Sequence, residues 1–325
     1  MAAIWCVGEA LIDLVADAPG PLRHARAFRP APGGAPANVA VGVARLGGPA
    51  RFLGKVGDDE FGHLIRETLA AAGVDVSNLR MTAEARTGLA FVSLREDGER
   101  DFLFYRSPAA DMLLRPEDLD LSALADGDIL CYGTVALAAQ PSRDTILGLL
   151  ETARVRGVTL VCDPNLRLSL WPEPEAALRT AREVLAMAHV AKLSLEEAEL
   201  LTGTSGPDAA AAWLLDQGVR LAVVTLGPEG AYFATRGGHR ARVPGFPVRA
   251  VDTTGAGDGF LAGLLVQLWQ RQREGIDLDR LTAADLTAAV RFANAVGALV
   301  VTAPGAITAL PDRAAVESFL TRVGS

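Results

Sequence analysis

Six short runs, most of them rich in β-branched residues, recur along the chain: "IWCVG" (4 to 8), "ARFLGKVG" (50 to 57), "DILCYG" (128 to 133), "VTLVCD" (158 to 163), "VAKLS" (190 to 194) and "LAVVTLG" (221 to 227). Stretches with helical spacing follow them, and this rhythm leaves few folds open. Strands joined through helices lie parallel, and the helices must cover the faces of the sheet. The pattern therefore predicts an α/β chain with a mostly parallel sheet and helices on both sides. Two of the helices are legible in detail, one opening at "PSRDTILGLLETARVRG" and stopping at Gly157, the other running from 207 to Gly218. Residues 86 to 106 break the rhythm, alternating with period two on either side of Asp97-Gly98, a hairpin-turn dipeptide. With the turn-rich segment 12 to 32 they predict a small second sheet, either an edge hairpin or a lid. At 325 residues the chain suits one large domain with such an appendage.

Open parallel sheets bind ligands beyond the carboxyl ends of their strands, and the polar residues cluster there. Glu9 and Asp13 follow the first run, Asp163, Asn165 and Arg167 the fourth, Lys192, Ser194 and Glu197 the fifth, and Thr225, Gly227 and Gly230 the sixth. Any one of these reads equally well as a turn former or helix cap. Five groups at one rim, counting residues 252 to 258, point to a site. In "VDTTGAGDGFLAGLL" (251 to 265), Gly255, Gly257 and Gly259 let backbone amides approach an anion at the start of a helix. Asp258 in that loop would repel a phosphate, unless it takes a proton from a hydroxyl that attacks the phosphate. The other reading makes Asp258 a helix cap. A second glycine run, "PGGAPANVAVGVARLGG" (32 to 48), places Gly33, Gly34 and Asn38 where a sugar hydroxyl could be met, or where a helix simply packs on the sheet. Neither run fits a dinucleotide fingerprint, which follows the first strand, or a phosphate loop of the Gly-Lys-Ser/Thr type.

The net charge of −8 argues against a nucleic-acid partner. Cys6, Cys131 and Cys162 lie far apart in apolar runs, which predicts buried thiols in a reducing, cytoplasmic setting rather than a disulfide framework. The start "MAAIWCVGEALID" meets an acid at Glu9, so neither a signal peptide nor a membrane span is expected there.

The ordered pair of glycine signatures resembles those of the ribokinase-like, PfkB-type carbohydrate kinases, with "GEALIDLV" (8 to 15) and "GKVGDDEFG" (54 to 62) extending the similarity along nearly the whole chain. "FYRSPAADMLL" (104 to 114), "CDPNLRLSLWP" (162 to 172), "VTLGPEGAYF" (224 to 233) and "FANAVGALVVTAPGAITALP" (292 to 311) look most like fructokinases. The resemblance implies a single domain spanning 1 to 325, a Rossmann-like three-layer α/β/α core with a β-sheet lid (12 to 32 and 86 to 111). It also implies ATP-dependent phosphorylation of a sugar's primary hydroxyl. Asp258 would be the base, with the amides of Gly255, Ala256 and Gly257 as anion hole. Glu9, Asp13, Gly33, Gly34 and Asn38 would face the sugar, as would Tyr105, Asp163 and Asn165. Arg106 and Arg167 would reach the acceptor or the transferring group. Lys192, Ser194, Glu197, Thr225, Gly227, Gly230, Asn294 and Ala298 would border the nucleotide, with Glu197 holding Mg2+ through water. The family often has Asn where Ser194 stands, which bears on that magnesium. A K+ site of mostly backbone oxygens matches Asp252, Thr254, Val300, Ala303 and Gly305, although a hydroxyl sometimes found there is absent at Ala309. Lid sheets of the family often pair into homodimers, and Phe102 and Phe104 are expected on the exposed face. The second subgroup resembled is the 2-keto-3-deoxygluconate kinases, whose acidic acceptor would pair with Arg106. A non-catalytic sugar or nucleotide sensor and a dinucleotide-dependent oxidoreductase complete the alternatives.

Overall fold

The computed structural model describes residues 2–94 and 100–323; the expected turn at Asp97-Gly98 lies outside them. In chain order the strands are β1 (Ile4–Val7), β2 (Leu11–Ala16), β3 (Phe28–Gly33), β4 (Ala50–Gly57), β5 (Asp75–Thr82), β6 (Leu89–Leu94), β7 (Arg100–Tyr105), β8 (Ile129–Tyr132), β9 (Thr159–Cys162), β10 (Val190–Ser194), β11 (Leu221–Thr225), β12 (Gly230–Thr235) and β13 (Arg240–Pro244). The helices are α1 (Ala35–Arg45), α2 (Glu60–Ala71), α3 (Ser142–Val155), α4 (Pro174–Leu185), α5 (Leu195–Thr202), α6 (Pro207–Asp216), α7 (Ala256–Arg273), α8 (Ala283–Val300) and α9 (Arg313–Val323).

All six runs enter one nine-stranded sheet of order β13-β12-β11-β10-β9-β8-β1-β4-β5. Its pairings are parallel except β11-β12 and β12-β13. Strand geometry sends alternate side chains to opposite faces, and β1 shows the result. Ile4 and Cys6 join the core under α1, α2, α7, α8 and α9, whereas Trp5 and Val7 join the one under α3 to α6. Each large side chain so buried contributes about 1.5–3 kcal/mol. Trp5 also donates its indole N–H to Asp128 Oδ2 at 2.9 Å, while Asp128 Oδ1 accepts the Ala3 amide at 2.6 Å, which fixes the entry to β1. By length and mean hydropathy (1.3) α8 alone among the described helices could cross a membrane, but it packs into the first core through Leu286, Val290, Ala293 and Val296. The chain leaves β1 for β4 on one side and later returns to β8 on the other, so a crevice opens beside the carboxyl end of β1.

A second sheet of order β3-β2-β6-β7 stands over that crevice, with β2 and β6 parallel. Here one expectation is corrected. Phe102 and Phe104 are half-buried and line the crevice, their rings stacked at 5.9 Å; the outward residues of β7 are Leu103 and Tyr105. The cross-strand pairs Val92↔Phe102 and Ala90↔Phe104 put both rings on the face that also carries Asp13. On the other face Phe91 meets Phe28 at 5.0 Å and Tyr105 at 5.2 Å, both edge to face.

Candidate active site

The crevice is a cleft of about 400 Å3. Where β1 ends, Glu9 turns into it and is buried; burial pushes its carboxyl up to about 7, although the Arg106 charge pulls the other way. Asp13 enters from the inner face of the small sheet. Gly33 leaves it room, since a Cβ there would lie 2.5 Å from Asp13 Oδ2. Gly34 has φ of 103°, and a side chain on it would meet the Glu9 carbonyl at 2.5 Å, so only glycine joins β3 to α1 at this point.

Asn38, in the first turns of α1, donates Nδ2 to Asp258 Oδ2 at 2.7 Å, while its own buried Oδ1 has no partner among the described residues. A buried acceptor left open costs stability unless something fills it, and a ligand hydroxyl would do so. Asp258 is the third residue of α7, yet no side chain caps that helix. Its carboxylate goes to Asn38, which removes the reading of Asp258 as a helix cap. Burial raises the Asp258 pKa against the hydrogen bond from Asn38 and the charges of Lys192 and Arg167. Gly255, with φ of 75°, and Gly257 line the cleft beside it. The third expected member of the anion hole differs: the Ala256 amide donates to the Thr253 carbonyl at 3.3 Å, and Ala256 borders the neighbouring cavity.

Asp163, after β9, and Lys192, on β10, form a buried ion pair at 2.9 Å. Burial opposes the ammonium's charge, but Asp163 and Glu197 keep it protonated. The same Nζ lies 3.1 Å from where a Cβ on Gly257 would sit, so it reaches the start of α7. Arg167 crosses the cleft with its guanidinium 5.7 Å from the Phe102 ring, and Asn165, at φ of 46°, lies in the same loop. Ser194 and Glu197 form the capping box of α5. Glu197 Oε1 accepts the Leu166 amide at 2.8 Å and Oε2 the Ser194 amide at 3.0 Å. Lys192, Ser194 and Glu197, expected beside the nucleotide, line the cleft, and a second cavity holds the rest of that group.

That second cavity, about 460 Å3, is lined by Thr225, Gly227, Gly230, Asn294 and Ala298 together with apolar Phe246, Pro247, Val248 and Phe260. Asn294 Nδ2 is held by the carbonyls of Val243 and Pro244, each at 3.1 Å. Thr253 and Gly257 border both cavities, so the two open onto each other at the start of α7. A flat apolar group fits the second cavity, and its polyanionic tail would meet the glycines and Lys192.

Two other expectations are placed elsewhere. Tyr105 is 61% exposed on the outer face of the small sheet, and Arg106 is buried against Asp111 outside the cleft lining. The five residues matched to a cation site do come together, but the Asp252 carboxylate ties the chain to itself. Its Oδ1 accepts Thr254 N and Oγ1 at 2.9 and 2.7 Å, its Oδ2 accepts Gly305 N at 2.8 Å, and the Val300 carbonyl accepts Ala303 N at 3.3 Å. Among the described residues no cluster of three His, Cys, Asp or Glu forms a metal cage. Magnesium does not need one, because it is usually bound by one or two carboxylates and phosphate oxygens, and Asp163, Glu197 and Asp258 supply carboxylates along the cleft. Sequence reasoning missed Phe246, Pro247 and Asp111. The "GFP" turn after β13 could have flagged the first two.

Residues 1–313 match the pfkB family carbohydrate kinase profile. The chain is 46% identical over 327 aligned positions to probable fructokinase-7 of Arabidopsis thaliana, covering 99% of this chain and 93% of that one. Fructokinase from Xylella fastidiosa with bound ATP superposes with a TM-score of 0.90 at 37% identity, covering 99% of each chain. A double-mutant fructokinase from Vibrio cholerae O395 in fructose, ADP and potassium ion bound form gives 0.88 at 37% identity, covering 98% of each.

Proposed function

The chain belongs to the pfkB family of carbohydrate kinases, and we propose that it transfers the γ-phosphoryl group of ATP to the 6-hydroxyl of D-fructose, with Asp258 as the general base. One observation carries this reading: the Asp258 carboxylate is buried in a polar cleft, next to Gly257, where that cleft meets an apolar cavity at a helix start built from glycine. A sugar in the cleft is offered acceptors by Glu9, Asp13 and Asn38 Oδ1. Its reacting hydroxyl gives its proton to Asp258, whose raised pKa brings it nearer the working pH than an exposed aspartate. The charge that develops on the transferring group meets the Gly257 amide, the positive end of α7, Lys192 and Arg167. Mg2+, when bound, would neutralise phosphate oxygens, with Asp163 and Glu197 within reach through water. The Asp252 and Gly305 loops suit K+ only if the carbonyls of Thr254, Val300, Ala303 or Gly305 turn towards it.

The small sheet is the proposed lid, with Phe102 and Phe104 lowering an apolar roof onto the sugar. Its outer face, with Leu103 and Tyr105 exposed, suits a homodimer, and sedimentation of Leu103→Glu should yield monomers if that face is used. Three buried cysteines without a disulfide favour a cytoplasmic setting.

An ADP-release assay across fructose, ribose, glucose, 2-keto-3-deoxygluconate and adenosine tests the substrate. Fructose should give the highest kcat/KM; a higher value for any other acceptor overturns the assignment, and no ATP turnover with any of them restores the sensor reading. Asp258→Asn should remain folded and bind fructose while losing about 10²–10⁴-fold in turnover.

A further inference from the structure

Arg106, just beyond the end of β7, is buried where the two sheets meet. Its side chain is 4% exposed and that of Asp111 beside it 1%. Asp111 Oδ2 accepts Arg106 Nε at 3.0 Å and also accepts Nη2. Asp111 is anchored to the main sheet's helices: its carbonyl accepts Ser142 Oγ at 2.7 Å, and that hydroxyl accepts the Leu114 amide at 2.9 Å. Gly88 clears the space, because a Cβ there would lie 3.1 Å from Arg106 Cγ and 3.3 Å from Asp111 Oδ1. Among the described residues Asp111 Oδ1 has no partner, so Arg106 is the carboxylate's sole side-chain partner there. Burying such a pair gains little stability over apolar packing, which leaves a role in charge placement. Glu9 acts on the same guanidinium and lines the cleft, as Arg106 does not. The cleft itself presents Glu9, Asp13, Asp163, Glu197 and Asp258 against Lys192 and Arg167, with Lys192 already paired.

We propose that Asp111 sets the charge class of the acceptor: by holding Arg106 behind Glu9 it keeps positive charge out of the cleft, so the site takes a neutral polyhydroxy sugar and turns away an acidic one. This rests on the kinase reading above. Discrimination of this kind works by repulsion, since a sugar carboxylate would enter a partly desolvated, acid-lined cleft whose cations are already engaged, Lys192 by Asp163 and Arg167 by the transferring phosphoryl group.

The test compares kcat/KM for 2-keto-3-deoxygluconate with that for D-fructose in the wild type, Asp111→Asn and Asp111→Glu. Removing the charge should raise the acid-to-neutral ratio at least tenfold, chiefly through a lower KM for the acid sugar, whereas Asp111→Glu should leave the ratio near the wild-type value. An unmoved ratio in Asp111→Asn, or an equal rise in Asp111→Glu, overturns the proposal; a general loss of packing would not change the ratio. If Asp111→Asn does not fold, calorimetry on the wild type decides. D-Sorbitol should bind at least tenfold more tightly than D-gluconate, and equal or reversed affinity refutes the idea. A higher kcat/KM for a neutral sugar other than fructose would sink the fructose assignment alone, and preference for the acid sugar would sink this inference while leaving a kinase.

Discussion

Replacing Gly257 with alanine should stabilise the protein while disabling it, and the opposed signs make the substitution informative. Gly257 is the second residue of α7, and its φ is not in the left-handed region, so alanine can adopt its backbone. Alanine is favoured over glycine within a helix by about 1 kcal/mol, somewhat less in a first turn. The added Cβ meets one atom within 4 Å, Lys192 Nζ at 3.1 Å, the far end of a flexible side chain. Stability should therefore rise by about 0.5–1 kcal/mol, roughly 1–1.5 °C in Tm. The same methyl stands where the two cavities meet and presses on the ammonium that faces the cleft. If the loop there receives the transferring phosphoryl group, kcat should fall about 10²–10³-fold, as when a donor to a developing anion is lost. Thermal melting and ADP release at saturating fructose measure both quantities on one preparation. A kcat within threefold of wild type would show that Gly257 does not border the reacting groups, and a loss of stability would make it a packing glycine. Gly255→Ala supplies the control, because at φ of 75° a Cβ would lie 2.9 Å from Ala306 Cβ and 3.0 Å from its Cα. That change should cost at least about 1–2 kcal/mol.

Asn38→Ala removes the 2.7 Å hydrogen bond that lowers the Asp258 pKa, so the acid limb of the kcat–pH profile should move to higher pH; a limb that stays put would mean another group titrates there. Burial pushes the Glu9 carboxyl up to about 7 in the folded protein, against 4.5 for an unperturbed glutamate, so the folded protein binds more protons between those values. Stability should fall as pH rises through that window and level off above it, by up to about 3 kcal/mol from this group. Urea unfolding from pH 4.5 to 8 should show Glu9→Gln losing less stability than wild type; parallel curves would count against the burial argument.

The strands were legible because each run pairs apolar side chains with a glycine, an acid or, at Ser194, a hydroxyl at its carboxyl end, and the rim residues followed from that. What stayed hidden were choices between equals. Phe102, Leu103, Phe104 and Tyr105 are all apolar or aromatic, so alternation marked two faces without saying which one looks inward; register with Ala90 and Val92 decides it. Arg106 carries no sequence sign that Asp111, five residues on, will hold it, and the partner of Asn38 lies 220 positions away. Such pairings arise only when the small sheet docks on the large one.

The acid in the glycine loop is a case where position and burial pull in opposite directions. A carboxylate at a helix N-terminus is ordinarily made more acidic by the helix dipole, and Asn38, Lys192 and Arg167 all act in the same direction on Asp258. Its pKa nevertheless lies above the ordinary aspartate value, because burial outweighs them. That balance suits a base: desolvation makes the carboxylate more proton-seeking, while the donors around it hold the rise back. Asn38 is then more than a sugar contact. With Nδ2 on the base and Oδ1 open to the cleft, it holds Asp258 on one side and offers an acceptor to the substrate on the other, so the orientation of the sugar and the strength of the base depend on the same amide.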